Sequence, residues 1–594
     1  MPHTKNSNFK QKIVIPNGMS EDSDTTESED ELTKVRKVLQ NKSAANNDCS
    51  SEEYTDEDED EKEQIERESS KSKKKKRIHW MKKSFPHPTS TFNENLPPPP
   101  ANDELKPIDY FFMMFGKESI ELLREQSNLY SVQINPNKSV NISEVEIHKF
   151  IGILIMTGIY SFPQQRFYWS SNTRVESIAS AMSRDRFLQI KKYLHVVDNS
   201  IQVDRTNPNF DRAFKVRPLL NMVKNNFRKI PMEQHLSVDE QIIPFKGKSI
   251  MKQHLPNKPY KWGYKMFLIC SSASGICHDF VFYTGKGDNP QHGFCTDIVL
   301  QLCETVPQMA NYKLYFDNYF TTIPLLVELK KLGIFATGTV RSNRLRDVVM
   351  KDQKALEKEG RGAVDYRVSQ VDGINLCTVR WLDNKVVNCL STIHSHEPID
   401  PVKRWSSSEK KHIQVNRPNI VKVYNENMGG IDTMDMLISF YRINIRSKKY
   451  YLKIIFHLID LCIANGWLLY RRHCEQLRLP KNEIRSLLQF RTEIGEACLK
   501  YVIPKDPAPR PRGRPAANSQ SRQKKPLPTT TRAVRVQHPP VNIRSDGYHH
   551  WPISTTKGRC RHIGCNSYSM IMCAKCKLRL CINAKKNCFK DYHQ

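Results

Sequence analysis

The alternation of apolar and polar positions predicts an α/β sheet in the middle of the chain. The predicted strands are residues 236–245, 264–270, 279–285, 312–318 and 335–341. Helices are predicted between them over 295–306 and 322–333, the second of which ends at a glycine. Three strands followed by alternating helices and strands are typical of an α/β fold.

Helical periodicity predominates on both sides of this sheet. Ser143 and Glu146 have capping-box spacing ahead of an apolar helix. Residues 344–418 break the rhythm with charged loops and short β runs, which predicts a β-rich insertion. Helices return over 429–442 and 450–472.

Composition separates the N-terminal end of the chain from this ordered middle. Two acidic blocks, which begin at Glu21 and Glu52, bury nothing and predict a disordered tail over 1–104. A basic run follows them. We interpret it as a nuclear-import signal or a phosphate-binding arm, the alternative being a solvated basic tract. The run consists of Lys73, Lys74, Lys75, Lys76 and Arg77.

The overall charge narrows the range of partners. A formal net charge of +29 with a pI near 9.4 suits nucleic acid or an anionic membrane. Apolar runs such as 150–160 are shorter than the roughly 20 residues of a membrane-spanning helix, so no membrane partner is expected. The sequence has no Gly-rich phosphate loop of the NTPase type, so no ATP dependence is expected.

Residues 505–555 are rich in Pro and Arg and predict an unstructured linker. Within it, Arg510, Arg512 and Arg514 form an AT-hook-like motif that suits the narrow minor groove of A·T-rich DNA. Nonspecific phosphate contact is the alternative. A second basic group, which either binds phosphates or forms a solvated helix edge, consists of Arg442, Arg446, Lys448 and Lys449.

Acidic residues interrupt otherwise apolar segments at three places. Asp239 lies inside a predicted strand, Asp317 ends another, and Asp432 begins a helix after two glycines. Ionised carboxylates are costly in apolar surroundings unless they are paired or bind a metal. Two divalent cations held by carboxylates are a general solution for cleaving phosphodiesters, although an aspartate at a strand end is also common as a turn former or helix cap. Asp435 shares the helix face of Asp432 and is a candidate fourth ligand, a supporting group or an exposed first-turn acid.

The end of the chain carries six of its sixteen cysteines. Thiolates at short spacing with a terminal histidine are typical of tetrahedral structural zinc. The predicted ligands are Cys560, Cys565, Cys573, Cys576, Cys581, Cys588 and His593. Because two closed sites need eight ligands, His562 is the expected eighth, and a single zinc with spare thiols is the alternative.

Five longer segments resemble the signature segments of piggyBac transposases and occur in the family's order. They are SVDEQIIPFKG (237–247), PNKPYKWGYK (256–265), YFDNYFTTIPLL (315–326), TGTVRSNR (337–344) and YNENMGGIDTMD (424–435). Several long motifs in the family's order are more specific evidence for the family than any single aspartate. The resemblance covers roughly residues 105–594 apart from the linker.

The resemblance implies an RNase H-like catalytic core with a β-rich insertion, a flanking helical dimerisation and DNA-binding domain, and a cross-braced zinc domain that binds transposon-end DNA. It places the family's acidic triad on Asp239, Asp317 and Asp432, and its additional important aspartate on Asp435. It further implies two Mg²⁺ or Mn²⁺ ions, a homodimer in the nucleus, and cut-and-paste transposition of double-stranded DNA at TTAA sites through hairpin intermediates. A domesticated chromatin-binding protein that does not cut DNA is the alternative.

These inferences divide the chain into eight segments. They are a disordered tail (1–104), a helical domain (105–234 and 442–504), a catalytic core (235–343 and 419–441) with its insertion (344–418), a basic linker (505–555) and a zinc domain (556–594).

Overall fold

The structure, a computed structural model, describes residues 77–101, 104, 106–137, 139–256, 258, 260–285, 291–502, 538–583 and 586–594. The chain divides into two compact units, one up to residue 504 and one from residue 505 onward. Some residues of the predicted basic motifs lie outside the described residues. They are Lys73, Lys74, Lys75, Lys76, Arg510, Arg512 and Arg514.

A group of helices opens the first unit. They are α1 (Pro107–Phe115), α2 (Glu118–Ile134), α3 (Glu144–Ile159), α4 (Glu176–Ala179), α5 (Arg184–Tyr193) and α6 (Arg217–Phe227). The predicted capping box is confirmed, because the Ser143 hydroxyl accepts from the Glu146 amide while the Glu146 carboxylate accepts from the Ser143 amide. Behind this cap, α3 is buried over most of its length in an apolar core shared with later helices.

A nine-stranded sheet forms the centre of the first unit. Its strands are β1 (His235–Pro244), β2 (Gln253–His254), β3 (Trp262–Ser271), β4 (Cys277–Phe282), β5 (Lys313–Phe316), β6 (Phe335–Thr339), β7 (Val364–Val371), β8 (Ile374–Leu382) and β9 (Val386–Ser391). The order is β2-β3-β1-β5-β6-β9-β8-β7, and β4 also pairs with β3. β1, β5 and β6 run parallel, whereas β3 is antiparallel to both β1 and β4. The five strands predicted for this block are confirmed.

The predicted β-rich insertion extends the central sheet. β9 pairs with β6, and β8 and β7 follow outward, so the boundary expected at residue 344 is not a break in the sheet. A separate hairpin of β10 (Asp400–Ser406) and β11 (Lys411–Arg417) follows. The buried Trp381 of β8 donates its indole N–H to the Asn416 carbonyl at 2.7 Å, which fastens the hairpin to the sheet.

Helices cover both faces of the sheet. They are α7 (Phe294–Cys303), α8 (Ile323–Lys331), α9 (Gln353–Glu359), α10 (Asn419–Asn427), α11 (Gly430–Phe440), α12 (Tyr450–Gln476) and α13 (Leu487–Leu499). Val238 of β1 shares an apolar cluster with α7 and α8, whereas Ile243 shares a different one with α11 and α12. Because side chains alternate along a strand, the odd-numbered residues of β1 face α11 and α12.

The long helix α12 is the core helix of this unit. Its 27 residues satisfy the length and composition of a membrane span, but 94% of its most apolar window is buried inside the protein. Asp460, which is buried in this helix, forms an ion pair of 2.8 Å with Arg491 of α13. The apolar surface of α12 is therefore used for packing within the unit.

The second unit is small and rich in cysteine. It contains α14 (Val541–Arg544), β12 (Pro552–Arg559), β13 (Tyr568–Cys573) and α15 (Cys588–His593). β12 and β13 form an antiparallel hairpin. Among the residues of this unit that the structure describes, the buried cluster contains the six cysteines and three others, Leu578, Leu580 and Tyr592. A core of this size needs crosslinks or metal ions to hold it.

Candidate catalytic and metal centres

Two neighbouring parallel strands bring Asp239 and Asp317 together. β1 and β5 pair with Val238 opposite Phe316, so the two aspartates are the next residues along the two strands. Val238 and Phe316 both lie in the apolar cluster that includes α7 and α8. Since side chains alternate along a strand, the two carboxylates point to the opposite face, where α11 lies.

The helix α11 approaches this face closely because its first residue is a glycine. A Cβ atom on Gly430 would lie 2.5 Å from the Ser237 hydroxyl and 2.7 Å from the Ser271 carbonyl oxygen. A larger residue would therefore push the helix away from β1 and β3. The close approach brings Asp432, in the first turn of α11, near enough to Asp239 to raise the pKa of that carboxyl.

We call Asp239, Asp317, Asp432 and Asp435 the acidic cluster, and its charges are unfavourable in the absence of a cation. Burial, reinforced by the neighbouring Asp317 carboxylate, holds the pKa of Asp239 well above its usual range. Burial also raises the pKa of Asp317, and it raises the pKa of Asp435 to about 6. Carboxylates in this condition favour a bound proton or a bound cation.

The acidic cluster is accessible from solvent on one side. Asp432 is exposed, whereas Asp239, Asp317 and Asp435 are half-buried. Several carboxylates that converge on a half-buried, solvent-accessible position are a donor set that suits hard divalent cations such as Mg²⁺. The structure thus brings together the four aspartates singled out in the sequence.

Lys258 is a member of this site that sequence reasoning missed. Its ammonium lies 3.4 Å from the Glu240 carboxylate, which Lys265 contacts from another side at 3.0 Å. Burial opposes its charge, but the carboxylates of Asp239 and Glu240, with a contribution from Asp432, raise the pKa of Lys258. The only signal in the sequence was that Lys258 falls within one of the family-like segments, 256–265.

The cysteines of the second unit form two interleaved groups of four ligands. One group is Cys560, Cys565, Cys581 and Cys588, and the other is His550, Cys573, Cys576 and His593. Within each group the ligand atoms all lie within 4.8 Å of one another. Because the two groups alternate along the chain, ions in both would brace the unit crosswise.

His550, and not His562, completes the second group. Its Nδ1 lies 3.4 Å from Cys573 Sγ and 3.5 Å from Cys576 Sγ. Its Nε2 lies 3.0 Å from the Asp546 carboxylate, an outer partner typical of metal-binding histidines. The expectation for His562 is corrected, since the eighth ligand precedes the first cysteine and lies in the stretch that composition assigned to the linker.

The spacing of both groups fits zinc. Cys565 Sγ lies 4.0 Å from Cys581 Sγ, and Cys576 Sγ lies 3.4 Å from His593 Nε2. Tetrahedral zinc with bonds of about 2.3 Å to sulfur and about 2.0 Å to nitrogen separates neighbouring ligand atoms by roughly 3.5–3.8 Å. The Nδ1 of His593 lies 2.7 Å from the Phe589 carbonyl, which directs Nε2 towards the group.

The predicted basic group after the acidic cluster divides into two parts. Arg446 and Lys448 are exposed. Arg442 is half-buried, with its guanidinium 5.4 Å from the centre of the Tyr260 ring. Lys449 is half-buried and donates to the Lys192 carbonyl at 2.6 Å.

Lys449 belongs to a larger group of cations, which we call the lysine cluster. It comprises Lys191, Lys192, Lys215, Lys449 and Lys453, which come from α5, α12 and the segments that precede α6 and α12. Burial, together with the nearby ammonium groups of Lys453 and Lys449, lowers the pKa of Lys191 to about 8. Mutually repelling cations of this kind are stabilised by polyanions.

Comparison with known proteins identifies the family. A family model described as Transposase IS4 matches residues 106–467. The human PiggyBac transposable element-derived protein 3 is 32% identical over 495 residues, which span 82% of this chain and 76% of the relative. The human PiggyBac transposable element-derived protein 2 is 31% identical over 502 residues, which span 83% of this chain and 77% of the relative.

A solved structure shares the fold. It is the cryo-EM structure of a piggyBac transposase synaptic complex with hairpin DNA, which matches with a TM-score of 0.57 at 23% identity. The match covers 68% of this chain and 82% of the solved one. The mixed α/β fold with its large central sheet is thus the fold of a piggyBac transposase. The chain belongs to the piggyBac transposase family.

Proposed function

We propose that the protein is a DNA transposase that cuts and joins DNA at TTAA sites through hairpin intermediates. The observation that carries the proposal is the convergence of Asp239, Asp317 and Asp432 on one face of the sheet. The order β4-β3-β1-β5-β6, with three antiparallel strands followed by two parallel ones, supports an RNase H-like core. The solved piggyBac transposase with hairpin DNA supports the hairpin step by analogy.

The three aspartates would hold two Mg²⁺ or Mn²⁺ ions, which when bound activate the attacking oxygen and stabilise the leaving oxygen. Lys258 balances part of the charge of the acidic cluster. Its ammonium is also placed to contact a phosphate that approaches the cluster from the solvent side. The retention of every aspartate at the motif positions favours a cutting enzyme over a domesticated protein that only binds DNA.

The basic regions would hold the DNA. The lysine cluster is suited to the phosphate backbone, and Arg442, Arg446 and Lys448 extend the positive surface. The AT-hook-like motif would contact the minor groove near an A·T-rich target, and the basic run that ends at Arg77 would direct the protein to the nucleus.

The second unit would bind transposon-end DNA with one zinc in each of its two ligand groups. We further propose that the protein works as a homodimer, because two transposon ends are joined in one event.

A cleavage assay tests the proposal. Full-length protein with Mg²⁺ should nick and hairpin a duplex that carries the inverted repeats flanking its coding region next to TTAA. Asp317→Asn should abolish both products and leave DNA affinity unchanged. A matched control is Asp372→Asn, which changes an exposed aspartate at a positive φ that asparagine also tolerates.

Two outcomes would overturn the proposal. Cleavage by Asp317→Asn at the wild-type rate would remove the acidic cluster from the chemistry. Tight and specific binding of the same duplex by wild-type protein, without any cleavage, would favour the domesticated DNA-binding protein.

A further inference from the structure

A chain of three side chains supports the acidic cluster from inside the protein. Gln241 donates through Nε2 to Asp435 Oδ1 at 2.7 Å, and its Oε1 lies 2.7 Å from His457 Nε2. Gln241 and His457 are buried, with 0% and 3% of their surfaces exposed. Gln241 lies two residues after Asp239 on β1 and therefore on the same face. The chain thus runs from α12 through β1 to α11.

The chemistry of the three groups sets the direction of the hydrogen bonds. An ionised Asp435 carboxylate only accepts, so the amide of Gln241 must turn its NH₂ group towards it. The amide oxygen of Gln241 then faces His457 and needs a donor. His457 is therefore the tautomer with its hydrogen on Nε2. Burial, and secondarily the charge of Arg442, hold the pKa of His457 well below its usual range, which agrees with a neutral ring.

A histidine at position 457 is not the most favourable residue for packing of α12 alone. The Nδ1 atom of His457 is buried and has no hydrogen-bond partner among the described residues. Leaving a buried polar atom unpaired costs free energy, which an apolar residue in α12 would avoid. A histidine at this position is therefore better explained by the hydrogen bond that it gives to Gln241.

We propose that Gln241 and His457 are positioning residues of the catalytic centre. They hold Asp435 by one carboxylate oxygen and leave the other free for a cation, or for water bound to a cation, at the acidic cluster. The inference rests on the proposed function, because it assumes that the acidic cluster binds divalent cations. Partners that orient a metal ligand in this way change metal affinity or activity by about 10–100-fold when they are removed.

Mn²⁺ affinity, measured by electron paramagnetic resonance on zinc-loaded full-length protein, is the readout. His457→Met removes the donor at similar size and should weaken Mn²⁺ binding about 10–100-fold. His457→Gln keeps an N–H donor at the same position along the side chain and should retain affinity close to that of the wild type. Gln241→Met should match His457→Met.

A double-mutant cycle separates positioning from general damage to the fold. If Gln241 acts through Asp435, then Gln241→Met should have little further effect in a protein that already carries Asp435→Asn. The thermal unfolding midpoint of each variant shows whether it is folded. If Gln241→Met does not fold, the comparison of His457→Gln with His457→Met decides the question.

The outcomes distinguish cation binding by the acidic cluster from the positioning role of Gln241 and His457. A wild-type protein that binds no Mn²⁺ would overturn the proposed function itself. If the wild type binds Mn²⁺ and His457→Met and Gln241→Met bind it equally strongly, the positioning role alone is overturned. The same holds if the effects of these substitutions add in full to the effect of Asp435→Asn.

Discussion

Replacing Asp435 by asparagine should stabilise the protein when no divalent cation is bound at the acidic cluster. The carboxylate is half-buried beside Asp432, and burial raises its pKa to about 6. Asparagine keeps the size of the side chain and an oxygen that accepts from Gln241, but it removes the charge. The substitution therefore isolates the free-energy cost of the charge.

The pKa shift of Asp435 sets the size of the effect. A rise from 3.8 to about 6 corresponds to about 3 kcal/mol once the group is ionised in both the folded and the unfolded state. Because solvent screens part of this and the neighbouring carboxylates also relax, the expected gain is about 1–3 kcal/mol. With an unfolding entropy of about 2.1 cal/mol/K per residue over roughly 400 residues, the midpoint should rise by about 1–4 °C.

The same shift predicts how the gain depends on pH. The folded-state pKa of Asp435 lies above the unfolded-state value, so the wild-type protein loses stability as the pH rises from about 4 to about 6. The asparagine variant has no such group. The difference in midpoint should therefore be small near pH 4 and should reach its full size above about pH 6.

Scanning calorimetry in buffer free of Mg²⁺ and Mn²⁺, with zinc left in place, measures this difference, and Asp372→Asn serves as the control. Added Mn²⁺ should reduce this difference, because a cation at 100 times its dissociation constant stabilises the wild type by about 2.7 kcal/mol and stabilises a variant that binds it more weakly by less. A variant that is less stable than the wild type without cations at pH 8 would refute the electrostatic description of the cluster.

Three further predictions follow from other parts of the molecule. His550→Ala should reduce the zinc content from two ions to one, whereas His562→Ala should leave it unchanged, as measured by mass spectrometry of the metal. Lys449→Gln should weaken DNA binding and make the negative slope of log affinity against log salt less steep by about 0.9, as measured by fluorescence anisotropy. An unchanged slope would show that Lys449 does not contact DNA. Gly430→Ala should destabilise the protein by about 1–3 kcal/mol and reduce cleavage, since its Cβ would meet Ser237, whereas Gly429→Ala, with no atom within 4 Å, should do neither.

The local pattern of apolar and polar residues was sufficient to predict most helices and strands of the core. Strands such as β3 and β5 are short apolar runs, and the capping box of Ser143 and Glu146 marks the start of α3. The β10–β11 hairpin lies within the predicted β-rich insertion, but its two strands were not predicted individually, because exposed charged residues such as Lys403 alternate along it and make the segment resemble a loop. Its stability depends on contacts with β8, such as the hydrogen bond of Trp381, which no local pattern records.

The site was harder to predict than the fold because its parts meet only in three dimensions. Asp239 and Asp317 converge through the parallel register of β1 and β5, and Asp432 joins them through the close approach of Gly430. Family resemblance suggested these aspartates, whereas spacing alone left each of them open to a structural role.

The two histidines His457 and His550 carried no local signal for the roles that the structure gives them. His457 lies in an apolar helix where a core role was the natural interpretation, 216 residues from its partner Gln241. His550 was overlooked because it precedes every cysteine of its unit in a segment with the composition of a linker. In both cases the decisive contact depends on tertiary structure and not on the neighbouring sequence.

Cleavage of the backbone by a bound metal ion locates the divalent cation directly on the polypeptide. Fe²⁺ in place of Mg²⁺, with ascorbate and peroxide, produces radicals that cut the backbone next to the bound ion. We expect fragments that end near residues 239, 317 and 432. Excess Mg²⁺ should suppress them, and the Asp317→Asn variant should not produce them. Cuts at only one of these positions, or cuts confined to the cysteine-rich unit, would contradict binding of the cation by the acidic cluster.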